Sequence, residues 1–108
     1  MATSRVTISK TSDGWYRVVC VEKYSTPWYY GETAAQALRG APIEIRAHAA
    51  RLESLISRPD VSEVVIKNLR SHIEVECIHG EYRRVIPAVS TDVRDALDKI
   101  LSELEANE

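Results

Sequence analysis

The first part of the chain alternates apolar and polar positions as an antiparallel strand hairpin does. Residues 5–9 alternate, Asp13-Gly14 is a dipeptide typical of hairpin turns, and residues 16–21 are mostly apolar. Because both faces of the second strand are apolar, we expect it to lie inside a sheet and to be covered on both sides. A two-residue loop predicts that the hairpin pairs Ile8 with Val19 and Val6 with Val21.

The segment from Tyr24 to Ser57 changes from an extended to a helical pattern. Pro27 cannot donate to a strand ladder, so residues 24–30 are expected to form an edge strand or an extended loop. Thr33 is a predicted N-cap, and the Gly40-Ala41-Pro42 break separates a short helix over 33–39 from a longer one over 43–57. The positions that would share the buried helical face are Leu38, Ile45, Ala49, Leu52 and Ile56.

The second half of the chain predicts three further strands. Residues 64–66 have the composition of a short buried strand, and residues 73–77 alternate between apolar and acidic side chains. His79-Gly80 predicts a tight hairpin turn into a strand over 82–86, which Pro87 is expected to end.

A final helix follows these strands. Ser90 or Thr91 is the predicted N-cap, and the acidic side chains of the first turn suit the helix dipole. Its apolar stripe consists of Val93, Ala96, Leu97, Ile100, Leu101 and Leu104. Residues 1–108 therefore predict a single α+β domain, with an antiparallel sheet of five to six strands and two main helices packed on it, in the order β-β-(β)-α-β-β-β-α.

Composition and charge narrow the functional classes. The formal net charge is −2, and the last 18 residues carry six acidic and two basic side chains, which gives no attraction to nucleic acid or to an anionic membrane. The chain has neither a run of about 20 apolar residues nor a secretory-signal pattern, so we expect a cytoplasmic location and no membrane contact. Cys20 and Cys77 are expected to be two reduced thiols, and a disulfide is possible only if their strands are adjacent.

Candidate catalytic and metal-binding residues are sparse. Glu44 precedes His48 by one helical turn, and such pairs are typical of exposed helix surfaces. Cys77 and His79 lie two residues apart, with His72 nearby, but a structural zinc site needs four ligands. Because no nucleophile or phosphate-loop motif occurs, we expect no enzyme, metal or cofactor. A small hydrolase or transferase is a third hypothesis, supported only by the three histidines His48, His72 and His79.

Paired carboxylates at Glu74 and Glu76 also have an ordinary structural explanation. They share one face of a strand and could perform acid–base chemistry. The predicted hairpin places Arg83 or Arg84 opposite Glu76, which is typical of a solvated face with cross-strand charge pairs.

Aromatic residues give the main functional signal. The chain has five Tyr, two Trp and no Phe, and all of these rings except Tyr82 lie between residues 15 and 30. Trp15 and Tyr16 begin the central strand and are expected to be core. In the stretch from Tyr24 to Tyr30, consecutive residues of an extended chain point to opposite faces, so one face should be open or should contact another chain. The residues predicted to bind a partner are Tyr24, Trp28, Tyr29 and Tyr30, with Arg39 and Arg46 as a polar rim.

The leading hypothesis is therefore a non-enzymatic protein-binding module, with homodimer formation as one possibility. It would be a small regulator or inhibitor that masks a partner protein. The alternative is a single-stranded nucleic-acid-binding domain that stacks bases on the same rings. No Lys or Arg lies between residues 24 and 38, where such a groove would need one.

Residues 5–55 resemble HicB-type antitoxin domains. The resemblance is carried by Asp13-Gly14-Trp15-Tyr16 and by the run from Gly31-Glu32-Thr33 into the Ala-rich segment ending at Leu38. The residues between them, Tyr24 to Trp28, depart from the Pro-x-Leu-Pro-Gly-Cys stretch of that family. The resemblance implies a small protein that binds and blocks a partner, often as a dimer, and thus an inhibitor of the antitoxin type or of the kind encoded by phages and mobile elements.

Overall fold

Six antiparallel strands form one sheet in the computed structural model, which describes residues 4–21, 25–69 and 71–106. The spatial order of the strands is β3-β2-β1-β4-β5-β6, so β3 and β6 are the two edges. The strands are β1 (Ser4–Lys10), β2 (Tyr16–Val21), β3 (Trp28–Gly31), β4 (Val61–Asn68), β5 (Ile73–His79) and β6 (Arg84–Ser90). The predicted α+β class with an antiparallel sheet is confirmed.

Helices connect β3 to β4 and follow β6. They are α1 (Ala34–Ala37), α2 (Ile43–Arg46), α3 (Ala49–Ile56) and α4 (Val93–Ala106), with a 3-10 turn over Leu38–Gly40. The Thr33 hydroxyl accepts a hydrogen bond from the Gln36 N–H, which confirms the predicted N-cap. Within the described residues, no helix is long and apolar enough to cross a membrane.

The predicted continuous helix over 43–57 is wrong, because the chain leaves helical geometry at His48 between α2 and α3. No Gly or Pro marks this position in the sequence. The two pieces pack against different neighbours: α2 contacts the 3-10 turn, whereas α3 contacts β1, β4, α1 and α4. Tertiary packing therefore imposes the break.

The predicted register of the first hairpin is also wrong, by one residue. The loop contains residues 11–15 rather than two residues, because Thr11 closes it with four hydrogen bonds to Gly14 and Trp15 of 2.8–3.2 Å, through its N–H, its C=O and its hydroxyl group. Ile8 consequently pairs with Val18, and Val6 pairs with Cys20. Since a shift of one residue exchanges the faces of a strand, Val18 and Cys20 join the core and Val19 and Val21 lie on the other face.

The second hairpin differs from its prediction in the same way. Residues 80–83 form its loop, with left-handed backbone at Gly80 and Arg83, and His79 pairs with Arg84. Glu76 therefore lies opposite Pro87 rather than opposite Arg83 or Arg84, and its carboxylate forms an ion pair with Lys67 at 2.5 Å. The strand also continues through Pro87 to Ser90, which an edge strand permits because one side of its backbone has no strand partner.

Helix α4 confirms the predicted apolar stripe. Five of its members are buried and Leu101 is partly buried against them. Asp92, rather than Ser90 or Thr91, caps the helix, since its carboxylate accepts from the Arg94 N–H at 3.2 Å. The Ser90 hydroxyl instead donates to Asp95 at 2.8 Å, and this bond, with a contact from Lys99, holds the pKa of Asp95 below its usual value.

All helices cover one face of the sheet, and the core lies between them. It contains Val6, Ile8, Val18 and Cys20 from the first hairpin, Val64, Ile66, Val75 and Cys77 from the second half of the sheet, and Leu38, Ile45, Leu52, Leu55, Ile56, Leu97 and Ile100 from the helices. Cys20 and Cys77 are both buried on strands that β1 and β4 separate, too far apart for a disulfide.

Burial should protect the Cys77 thiol from alkylation, because it raises the pKa of this thiol from 9.0 to about 11 and only the thiolate reacts. We expect iodoacetamide at pH 8 to modify Cys77 in the native protein more than about a hundredfold more slowly than in guanidinium, as followed by mass spectrometry of the peptide that contains it. A Ser102→Cys variant, with its new thiol on an exposed position of α4, controls for the reagent. Equal rates for Cys77 and for this introduced thiol in the folded protein would contradict the placement of Cys77. Since folding raises this pKa, its contribution to stability is complete below about pH 9 and is lost as the pH rises toward 11.

Candidate protein-binding face

The face of the sheet opposite the helices carries the candidate site, and we call it the open face. Strand register and side-chain alternation decide which residues lie on it. Its β1–β3 half consists of Arg5, Thr7, Ser9, Arg17, Val19, Val21, Trp28 and Tyr30. Its β4–β6 half consists of Glu63, Val65, Lys67, Glu74, Glu76, Ile78, Val85, Pro87 and Val89.

Trp28 and Tyr30 form an exposed ring pair on this face. Their ring centroids lie 5.1 Å apart at an interplanar angle of 82°, an edge-to-face arrangement. The two side chains keep 59% and 41% of their surface exposed. The expectation that one face of this stretch would be open is confirmed.

Tyr29 points the other way, and its ring is part of the fold. It packs against the core and lies directly over Gly40, where a methyl group would overlap the ring. The Arg39 guanidinium lies 5.3 Å from the centre of the same ring. Tyr29 is therefore not on the predicted binding surface, and Tyr24 lies outside the described residues.

Arg39 blocks part of the free edge of β3. Its Nη1 donates to the carbonyl oxygens of Tyr30 and Gln36, each at 2.7 Å. Because the Tyr30 carbonyl points away from β2, this bond satisfies an edge group that could otherwise pair with another strand. Arg46 lies on α2 in the helical layer, so it does not border the open face.

Trp15 is expected in the core from the sequence, and this prediction is wrong. It lies in the β1–β2 loop with 41% of its surface exposed, because the loop is longer than two residues. Together with Tyr30 it flanks a concavity of about 480 Å³ that is completed by Thr11, Ser12 and Asp13. Tyr16, in contrast, is partly buried against the core as expected.

Strand pairing brings a basic residue next to Trp28 and Tyr30, although none is near them in the sequence. Arg17 on β2 lies directly opposite Tyr30 on β3, and Arg5 lies on the neighbouring strand β1. The local sequence does not show this arrangement, because residues 24–38 contain no Lys or Arg and Arg17 belongs to another strand. Only the register of β2 against β3 shows it.

A second exposed apolar group lies at the opposite edge of the sheet. Val85 and Val89 on β6 are 50% and 52% exposed on the open face. A concavity of about 830 Å³ is lined by this strand and by α4. Lys99 crosses it and donates to the Val89 carbonyl at 3.1 Å, so both edge strands have an outward carbonyl satisfied by a helical cation. The sequence does contain a signal for this apolar group, because positions 85, 87 and 89 are alternately spaced and apolar. The proline at position 87 hides the signal, since proline usually ends a strand.

The three histidines do not converge. His48 lies at the break between α2 and α3, whereas His72 precedes β5 and His79 ends it. His72 lies between the Ser71 hydroxyl and Glu74, with its Nε2 3.2 Å from the Glu74 carboxylate. In the part of the chain that the structure describes, no three His, Cys, Asp or Glu side chains are grouped to hold a metal ion.

Comparison of the chain with protein-family models, with curated proteins and with solved structures finds no match. The resemblance to HicB-type antitoxin domains therefore stays a prediction. The class that fold and surface define is an α+β domain with an open sheet face.

Proposed function

We propose that this chain is a non-enzymatic protein-binding module that uses the open face to mask the surface of a partner protein. One observation carries the proposal: Trp28 and Tyr30 are exposed as a pair on the helix-free side, whereas Tyr29 between them is packed against the core. Tyr and Trp supply large contact areas with few rotatable bonds, and they are enriched among the residues that dominate binding energy.

A regulator or inhibitor is the kind of protein that we propose. The resemblance to HicB-type domains supports an antitoxin-like role in which binding blocks the partner. Two buried cysteines on non-adjacent strands are typical of the cytoplasm, where we place the protein.

Replacing Trp28 and Tyr30 together with Ala should abolish capture of the partner from a lysate of the source cells. The loss should exceed about tenfold, because both rings would be central to the interface. The matched control is Tyr82→Ala, which removes an 83% exposed ring from the β5–β6 loop and should leave capture unchanged. Both variants should remain folded, as circular dichroism would show, since the buried core includes none of these side chains. If the double variant captures the same proteins in the same amounts, the proposal fails.

Single-stranded nucleic acid is the second candidate, and the position of Arg17 opposite Tyr30 favours it. Rings with an adjacent cation can stack bases and contact phosphates. A labelled oligonucleotide followed by fluorescence anisotropy tests this candidate directly. Binding that weakens with salt and is lost in Arg17→Ala and Trp28→Ala would replace the protein partner by a nucleic acid.

A further inference from the structure

The exposed apolar side chains of the open face are concentrated at its two opposite edges. We call Trp28 and Tyr30 on β3 the aromatic edge, and Val85 and Val89 on β6 the valine edge. Trp15 borders the aromatic edge through the concavity that it shares with Tyr30. Of the large apolar side chains exposed in the described residues, these five lie on or beside the open face, and only Ile43 and Tyr82 lie elsewhere.

The charges of the open face are also divided between its two halves. On β1–β3 the charged side chains are Arg5 and Arg17, for a net charge of +2. On β4–β6 they are Glu63, Glu74, Glu76 and Lys67, for a net charge of −2. The two halves of the open face therefore carry net charges of opposite sign.

We propose that the partner of the open face is a second copy of this chain, bound face to face about a twofold axis parallel to the strands between β1 and β4. This proposal rests on the proposed function, because it requires that the open face binds protein. Such a rotation places the β1–β3 half of each copy over the β4–β6 half of the other. The aromatic edge then lies over the valine edge twice, and the half with a net positive charge lies over the half with a net negative charge twice, although the register also brings Arg5 of each copy near Lys67 of the other.

A rotation about an axis perpendicular to the strands would place like halves over each other. Arg5 of each copy would then lie beside Arg17 of the other, because these residues occupy opposite ends of adjacent strands, and the two negative halves would lie over each other. Like-charge repulsion disfavours this arrangement. The net charges of the two halves therefore favour the axis parallel to the strands.

The size of the face suits a stable dimer. Six strands about 4.8 Å apart and about 21 Å long present roughly 600 Å² per copy, before the relief of the side chains is counted. Two such faces bury at least about 1,200 Å², where specific interfaces begin. Two sheets stacked about 10 Å apart would also shield the helix-free side as a sandwich does.

Complementation between two variants tests the geometry. Trp28→Ala with Tyr30→Ala removes the aromatic edge, and Val85→Ser with Val89→Ser removes the valine edge. Each variant alone has both edge contacts damaged, so its dimer should dissociate at least about tenfold more readily than the wild type by sedimentation equilibrium. Mixed together, they should form a heterodimer at least about tenfold tighter than either variant dimer, because one aromatic–valine contact is intact.

Further variants test the role of charge and the location of the interface on the open face. Arg17→Glu should weaken the dimer at least about tenfold at low salt, whereas Arg46→Glu and Ile43→Ala, on the helical side, should leave it unchanged. Circular dichroism and thermal unfolding should show every variant folded.

Three results would overturn the second copy as partner: a wild-type chain that sediments as a monomer at about 100 μM, mixed variants that bind no tighter than each alone, or a dimer broken by the helical-side changes. A monomeric wild type that still loses a different protein partner on removal of the aromatic edge would overturn this inference and leave the proposed function standing. If removal of the aromatic edge changes neither the dissociation of the dimer nor the capture of a partner protein, both proposals fail.

Discussion

Gly31→Ala should destabilise the folded protein by about 2–3 kcal/mol, although it adds one methyl group. A Cβ atom at this position would lie 2.5 Å from the Ala37 backbone nitrogen and 2.9 Å from the Gln36 carbonyl carbon. Backbone atoms of α1 cannot rotate away as a flexible side chain can, so β3 or α1 must shift. Because β3 carries Trp28 and Tyr30, we also expect the ring pair to move, which the intrinsic fluorescence of the tryptophans would report.

Gly80→Ala is the control for this variant. Gly80 has a positive φ of 77° and nothing within 4 Å of the position that a Cβ atom would take, so its replacement adds only the backbone cost of about 1 kcal/mol. Chemical denaturation of both variants measures the difference in the free energy of unfolding. If Gly31→Ala and Gly80→Ala lowered the free energy of unfolding equally, close packing of β3 on α1 would not be the reason for a glycine at position 31.

Leu97→Ala should have the largest effect on stability, a loss of about 3 kcal/mol within a range of roughly 2–5. Leu97 lies in the centre of the buried stripe of α4 and is fully buried, and α4 packs on strands β5 and β6. Truncation removes apolar burial and leaves a cavity, and the neighbouring strands cannot close it without breaking their own pairing. For a domain of this size, the unfolding temperature should fall by more than about 10 °C.

Leu101→Ala is the matched comparison on the same helix. Its side chain is only partly buried against the core, so truncation exposes the site to water rather than creating a closed cavity. We expect less than half of the loss seen for Leu97→Ala. If the two losses were equal, the orientation of α4 on the sheet would be contradicted.

Much of the secondary structure follows from local patterns. The stripe of α4, the Thr33 cap and the extended edge segment around Pro27 are all predictable, because spacing, capping chemistry and proline geometry act within a few residues. The exposure of Trp28 and Tyr30 opposite Tyr29 also follows from the alternation of a strand.

The lengths of the two hairpin loops do not follow from the sequence. Asp13-Gly14 and His79-Gly80 favour turns, but Thr11 and Arg83 extend both loops through hydrogen bonds and left-handed backbone that the dipeptides do not show. Each longer loop changed a register, and with it the neighbours of Val19 and Glu76. The expected burial of Trp15 failed for the same reason.

The sequence alone determined the class of the fold, the buried stripe of its most regular helix and the two rings that point away from the core, since these depend on contacts between near neighbours. Only the tertiary structure decided which surface those rings belong to. Arg17 comes to Tyr30 from another strand, and the valine edge lies across the whole sheet from the aromatic edge. Such arrangements depend on strand order and register, which arise from long-range pairing and leave no local mark in the sequence.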